Sequence, residues 1–169
     1  EPERSLATIL HEVSTLFDLE HYACFLVAGD PPRLQLGCVD AVVAVDCPRE
    51  LELGVGVSGL AAQRREPVVV HDLQRGGDPS LEPTRRARLR AALSVPMLAD
   101  GRLIGTIAFG TRERDAGLDE AVEVARIVGD QLAIALERAR LAAETRARAA
   151  ALADADRRKD EFLAMLAHE

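Results

Sequence analysis

Aromatic residues are scarce in this chain: it has no tryptophan, one tyrosine (Tyr22) and four phenylalanines in 169 residues. A ligand would find few ring faces to stack on. Lysine is rarer still, with Lys159 the only one. Acidic side chains outnumber basic ones 28 to 21, for a formal charge of −7 and a pI near 5.2. Such a surface repels nucleic acid and anionic membranes, which both require concentrated Lys and Arg. No apolar run approaches the ~18–20 residues of a membrane span, and the opening Glu1-Pro2-Glu3-Arg4 is unlike a signal peptide. No metal-ligand cluster and no Gly-x-x-x-x-Gly-Lys phosphate cradle occurs, so no cofactor is evident. These absences predict a soluble, cytoplasmic protein that contacts neither nucleic acid nor membrane.

The three cysteines, Cys24, Cys38 and Cys47, form no Cys-x-x-Cys pair and cannot all be bridged to one another. Each lies in or beside an apolar stretch, where a free Cys behaves as a small hydrophobe. Reduced core thiols are the expectation; a redox or cofactor-attachment role requires a lowered thiol pKa.

Apolar residues are plentiful, at 48% of the chain, enough for a core without staples. Leu6, Ile9, Leu10, Val13, Leu16 and Phe17 repeat at helical spacing after Ser5, a potential N-cap. Residues 22–28 and 34–39 read as strands joined by a Gly/Pro-rich turn. Ser58 is placed to cap a short helix over 59–65, which ends before Pro67; Val68, Val69 and Val70 then form a buried strand. A loop over 74–83 leads into a basic helical segment, 84–91, and strands over 93–98 and 103–110 flank Asp100-Gly101, a hairpin turn signal. After Gly129 the chain has no Gly or Pro, and one helix from Leu118 to Glu169 would extend roughly 78 Å. Leu118, Val122, Ala125, Leu132, Leu136, Ala139 and Ala143 fit a heptad-like stripe that Arg146 and Arg157 interrupt. A parallel homodimer through this C-terminal helix is expected, since its last thirty or so residues otherwise bury nothing.

The segment Leu53-Gly54-Val55-Gly56-Val57-Ser58-Gly59-Leu60-Ala61-Ala62, then Pro67 to Asp72, then Ser94-Val95-Pro96-Met97 and Asp100 to Thr106, resembles the GAF domain family, as does the exit helix Gln131 to Ala139. The resemblance covers about residues 5–140. It implies an α+β fold, an α/β sandwich with a central antiparallel sheet flanked by helices, and a small-molecule pocket. The expected organisation is a sensory domain at 1–140, a signalling-helix linker at 141–157 and, at 158–169, a second resemblance. Arg158-Lys159-Asp160-Glu161-Phe162-Leu163-Ala164-Met165-Leu166-Ala167-His168-Glu169 is similar to the H-box of sensor histidine kinases. That similarity implies His168 as phosphoacceptor, Glu169 as the assisting base and a response regulator as downstream partner. At ~100° per residue Phe162, Leu163 and Leu166 share one sector and His168 points away from it, leaving a ring nitrogen free to attack a phosphoryl group. The remaining bundle helix and every ATP-binding element would lie beyond residue 169. ATP would be needed only there, and this segment alone is expected to be inactive.

The ligand is less legible. The Asn-Lys-x-Phe-x-x-x-Asp-Glu signature of cyclic-nucleotide-binding relatives is missing. No cysteine neighbours a histidine as in bilin-binding ones, and residues 84–93 contain no axial His as in haem-sensing ones. A used pocket would favour an anionic metabolite, with Arg86 or Arg90 donating and His71 or Asp72 at the rim. A solvated basic helix face is the simpler reading of those arginines. Two functions follow: a small molecule controls how His168 is presented, or a ligand-free dimerisation and spacer module relays a signal from an upstream domain.

Overall fold

The structure, a computed structural model, describes residues 2–112 and 117–168. The chain divides into two units, Glu1–Ile134 and Ala135–Glu169. The first is built on six antiparallel strands: β1 (His21–Ala28), β2 (Arg33–Val39), β3 (Glu50–Leu51), β4 (Val68–Val70), β5 (Ala91–Ala99) and β6 (Arg102–Thr111), in the order β3-β2-β1-β6-β5-β4. This is the α+β, GAF-like sandwich that the sequence implied.

Strand β5 is buried at eight of its nine positions, and that is possible only for an inner strand covered on both faces. Its return partner β6 is set by Asp100 and Gly101, both at positive φ (49° and 72°). That pair of left-handed residues forms the two-residue turn whose twist suits a hairpin. β1 lies against β6 with Gly105 opposite Leu26. A Cβ on Gly105 would stand 2.1 Å from the Phe25 carbonyl oxygen, so the strands close here only around glycine.

One face of the sheet carries α1 (Pro2–Leu16) and the start of α4 (Leu118–Ala167). In α1 the buried residues Leu6, Leu10 and Val13 recur at helical spacing, while Leu16, read as part of the same stripe, is exposed. In α4, Ala121, Ala125, Gly129 and Ala133 are buried at four-residue intervals. Their small side chains let the helix approach the sheet closely: a Cβ on Gly129 would meet Pro96 O at 3.3 Å and Val95 Cγ2 at 3.4 Å.

The other face carries α2 (Gly56–Arg64) and α3 (Glu82–Arg86). Here the sequence reading needs correction. Ser58 is not the cap of α2: the helix begins earlier, Val55 occupies the N-cap position without a side-chain bond, and the buried Ser58 hydroxyl meets Ser94 Oγ at 3.3 Å. The basic helix is shorter and earlier than 84–91. It ends at Arg86 because Arg88 turns to φ 57° and β5 starts at Ala91. Strand β3 has only two residues, too few for any period to announce it.

The second unit is helical as far as Ala167. Its surface is laced by intrahelical pairs, among them Arg140 with Glu137 and Glu144, Arg157 with Asp154 (2.6 Å) and Arg158 with Asp154 (2.8 Å). Pairs at this spacing on an exposed helix face give the helix a modest, salt-screened support. Leu152, Phe162, Leu163, Met165 and Leu166 are all more than half exposed. Among the described residues no helix is long and apolar enough to cross a membrane.

Candidate functional site

Between the sheet and the layer of α2, α3 and the 41–48 loop lies a cavity of about 60 Å³. β1 contributes His21, Ala23 and Phe25; β5 and β6 contribute Ala92 and Ala108; Val57 and Ser58 of α2, Thr84 of α3 and Val43 and Cys47 of the loop close it. The lining is almost wholly apolar, which suits a small ligand whose few polar atoms are read by a few fixed groups. A wider cleft of about 590 Å³ with a mixed lining adjoins it, sharing Cys47, Pro48, Leu51 and Pro83 and edged by Arg33, Asp46, Glu50 and Arg86.

Two polar side chains organise the walls. Asp40, just past β2, accepts from Tyr22 N (3.0 Å), Val42 N (3.0 Å) and Val43 N (3.4 Å), which pins the start of the loop to β1. The same carboxylate lies 3.2 Å from Nδ1 of buried His21. A carboxylate can only accept there, so Nδ1 is the donor; Nε2 is 3.9 Å from Glu20 Oε2. Arg112 is the second organiser. Its Nη2 donates to Asp46 Oδ2 (3.2 Å) and to the Ala87 carbonyl (3.1 Å), and its backbone N–H donates to Glu20 Oε2 (2.6 Å). One guanidinium thus ties the loop to the end of α3. The Val57 N–H completes the frame by donating to Thr84 Oγ1 at 3.0 Å, which joins the first turn of α2 to α3.

Cys47 sits in the apolar wall, and burial, reinforced by the nearby Asp40 charge, pushes its thiol up to about 11. It is protonated and unreactive at neutral pH. Among the described residues no group of His, Cys, Asp and Glu could hold a metal.

The residues chosen from sequence are dispersed. His71, half exposed, pairs through Nε2 with Asp119 of α4 at 3.3 Å. Asp72 accepts from Arg75 N at 3.2 Å. Arg90 holds its place through its backbone, donating to Thr111 O at 2.7 Å. None of these three lines the cavity or the cleft; Arg86 edges the cleft, with its Nε 3.3 Å from Glu82. Arg85 stitches the preceding loop by donating to the Asp78 carbonyl at 2.6 Å and to Gly76 O at 3.3 Å. His168 is exposed in the turn that follows α4, its N–H bonded to Met165 O at 3.3 Å. Glu169 lies outside the described residues.

Asp40 and Arg112 were not singled out by the sequence, and His21 reads there as a polar residue at a strand end rather than a ligand. Asp40 carries the one available signal: an Asp directly after a strand and before a turn commonly bonds backbone N–H groups two and three residues on.

The GAF domain family profile matches residues 1–137. No curated protein matches the chain in sequence. Solved structures share its fold at low identity. The GAF domain of an Acinetobacter phosphoenolpyruvate-protein phosphotransferase is 16% identical with a TM-score of 0.69, covering 85% of this chain and 87% of that one. Free methionine-R-sulfoxide reductase from Neisseria meningitidis, solved with its substrate, is 23% identical with a TM-score of 0.68, covering 84% and 81%. A domain of a protein assigned as a two-component sensor histidine kinase from Sinorhizobium meliloti is 15% identical with a TM-score of 0.63, covering 85% and 97%.

Proposed function

The chain belongs to the GAF domain family of regulatory and sensory modules, and from that premise we propose that it is the sensory segment of a two-component histidine kinase. In this reading a small molecule enters the cavity between β1 and the 41–48 loop, and the occupied state alters the pairing of two C-terminal helices. That pairing sets how His168, the phosphoacceptor, and Glu169, its base, are offered to a kinase domain that binds ATP. A response regulator then takes the phosphoryl group. The observation that carries the reading is continuity. Helix α4 packs on the sheet through Ala125 and Gly129 and runs unbroken to Ala167, one residue before His168.

The cavity also defines what kind of ligand would act. Roughly 150 Å³ admits a benzene-sized molecule, and the space here is about 60 Å³. A ligand larger than a few heavy atoms would have to displace the loop carrying Val43 and Cys47. A ligand that binds only the displaced state supplies the differential affinity that any switch requires. The wall chemistry favours a compact, largely apolar molecule with one polar group at His21. An anion would instead have to enter the outer cleft and compete with Glu82 for Arg86.

Thermal melting against a panel of small metabolites tests the reading. A ligand at 100 times its dissociation constant stabilises by ~2.7 kcal/mol, and Ala108→Leu, which fills the cavity, should abolish that shift while leaving the domain folded. The small volume of the cavity favours one competing reading, a ligand-free spacer that relays an upstream signal. Silence across the panel, with dimerisation intact, would support it.

A further inference from the structure

Two thiols lie side by side on the sheet face opposite the cavity. Cys24 of β1 stands directly across from Cys38 of β2 in the antiparallel register, and directly opposed residues send their side chains to the same face. Their Cα atoms are then about 4.5–5.5 Å apart, inside the roughly 4.4–6.8 Å that a disulfide spans. The two thiols are within hydrogen-bonding reach of each other. A register irregularity immediately after Cys24 gives this part of the ladder room to adjust.

Their exposures differ in a useful way. Cys24 is fully buried and Cys38 is half-buried. β3 pairs with β2 at Leu34 and Gln35, at the far end of the strand from Cys38, so Cys38 lies where β2 forms the edge of the sheet. A small reagent can reach it there and cannot reach Cys24 first.

We propose that Cys24 and Cys38 form a reversible dithiol–disulfide pair that exchanges with low-molecular-weight disulfides of the glutathione type. The Cys38 thiolate attacks one sulfur of oxidised glutathione, that S–S bond breaks, and one glutathione thiolate leaves. The Cys24 sulfur then attacks Cys38 Sγ, the Cys38–glutathione S–S bond breaks, and the departing glutathione thiolate takes the Cys24 proton. Two protein thiols are oxidised and one glutathione disulfide is reduced to two thiols. The hydrogen bond to Cys38, with burial adding to it, holds the Cys24 thiol well above its ordinary pKa, so closure of the disulfide is the slower step. Cys47, on the cavity side, takes no part.

The folded protein would be incubated with oxidised glutathione, its remaining thiols alkylated, and its mass and peptide map measured. The expected product is lighter by two hydrogens before alkylation and links the Cys24 and Cys38 peptides; dithiothreitol reverses it. Cys47→Ser should behave identically, and Cys38→Ser should form no intramolecular disulfide. Three results would overturn the proposal: both thiols unmodified, a glutathione adduct on Cys38 that never resolves, or a Cys24–Cys38 link that forms only after denaturation.

Discussion

Asp40 satisfies four groups at once: the N–H of Tyr22, of Val42 and of Val43, and Nδ1 of His21. Removing the carboxylate would leave partly buried donors unpaired, each at a cost of roughly 1–3 kcal/mol. Asp40→Ala should therefore lower the urea midpoint far more than substitution of the exposed Asp72, and it should loosen the cavity wall. Gly105→Ala makes a sharper prediction, because its Cβ would lie 2.1 Å from a backbone oxygen. Overpacking costs about 1–3 kcal/mol when side chains can yield, and backbone cannot, so a loss at or above that range is expected in denaturant unfolding. Cys47 offers a pH test. Its thiol stays protonated until about pH 11, so alkylation of the folded protein at Cys47 should be slow at pH 8 and rise toward 11, whereas the unfolded chain should react at the ordinary thiol rate. The residue scale was the least legible in the sequence. His71, Asp72 and Arg90 looked plausible because they are polar and near the right motifs, yet rim and wall are decided by which strand face a residue takes and which loop folds back over it. The signal at Asp40 was local; that at Arg112 was not, since its partners Asp46 and Ala87 lie 66 and 25 residues away.

Elements were more legible where a period or a turn signal was strong. The hairpin at Asp100-Gly101, the Val68–Val70 strand and the long helix follow from residue chemistry that acts locally. Ser58 misled because a serine three residues into a helix resembles a cap, while tertiary packing drew its hydroxyl to Ser94. In α4 the heptad-like stripe took in Ala125 but passed over Ala121, Gly129 and Ala133. Ala121, Ala125, Gly129 and Ala133 form a four-residue ladder that marks close approach to a neighbour. This ladder is testable. Gly129→Leu would drive a side chain into Pro96 O and Val95 Cγ2, which would stand only 3.3 and 3.4 Å from its Cβ, and should cost ~1–3 kcal/mol or more in a thermal or urea melt. A leucine at the exposed Ala147 should be tolerated.

At the scale of the whole molecule, the alternation of strand and helix periods left α/β and α+β both open, and it was the resemblance to GAF domains that implied the antiparallel sandwich. What the second unit does is a different question. Its helix carries Leu152, Phe162, Leu163 and Leu166 more than half exposed within one chain, and apolar side chains repeated along a helix are buried when two such helices pair. The proposed function stands on that pairing, since a cavity can influence His168 only through helices whose arrangement has two states. Light scattering of the chain beside a version ending at Arg140 tests this most directly. The account predicts a dimer for the chain and a monomer or a much weaker dimer for the shortened version. A monomer at every concentration for both would contradict it.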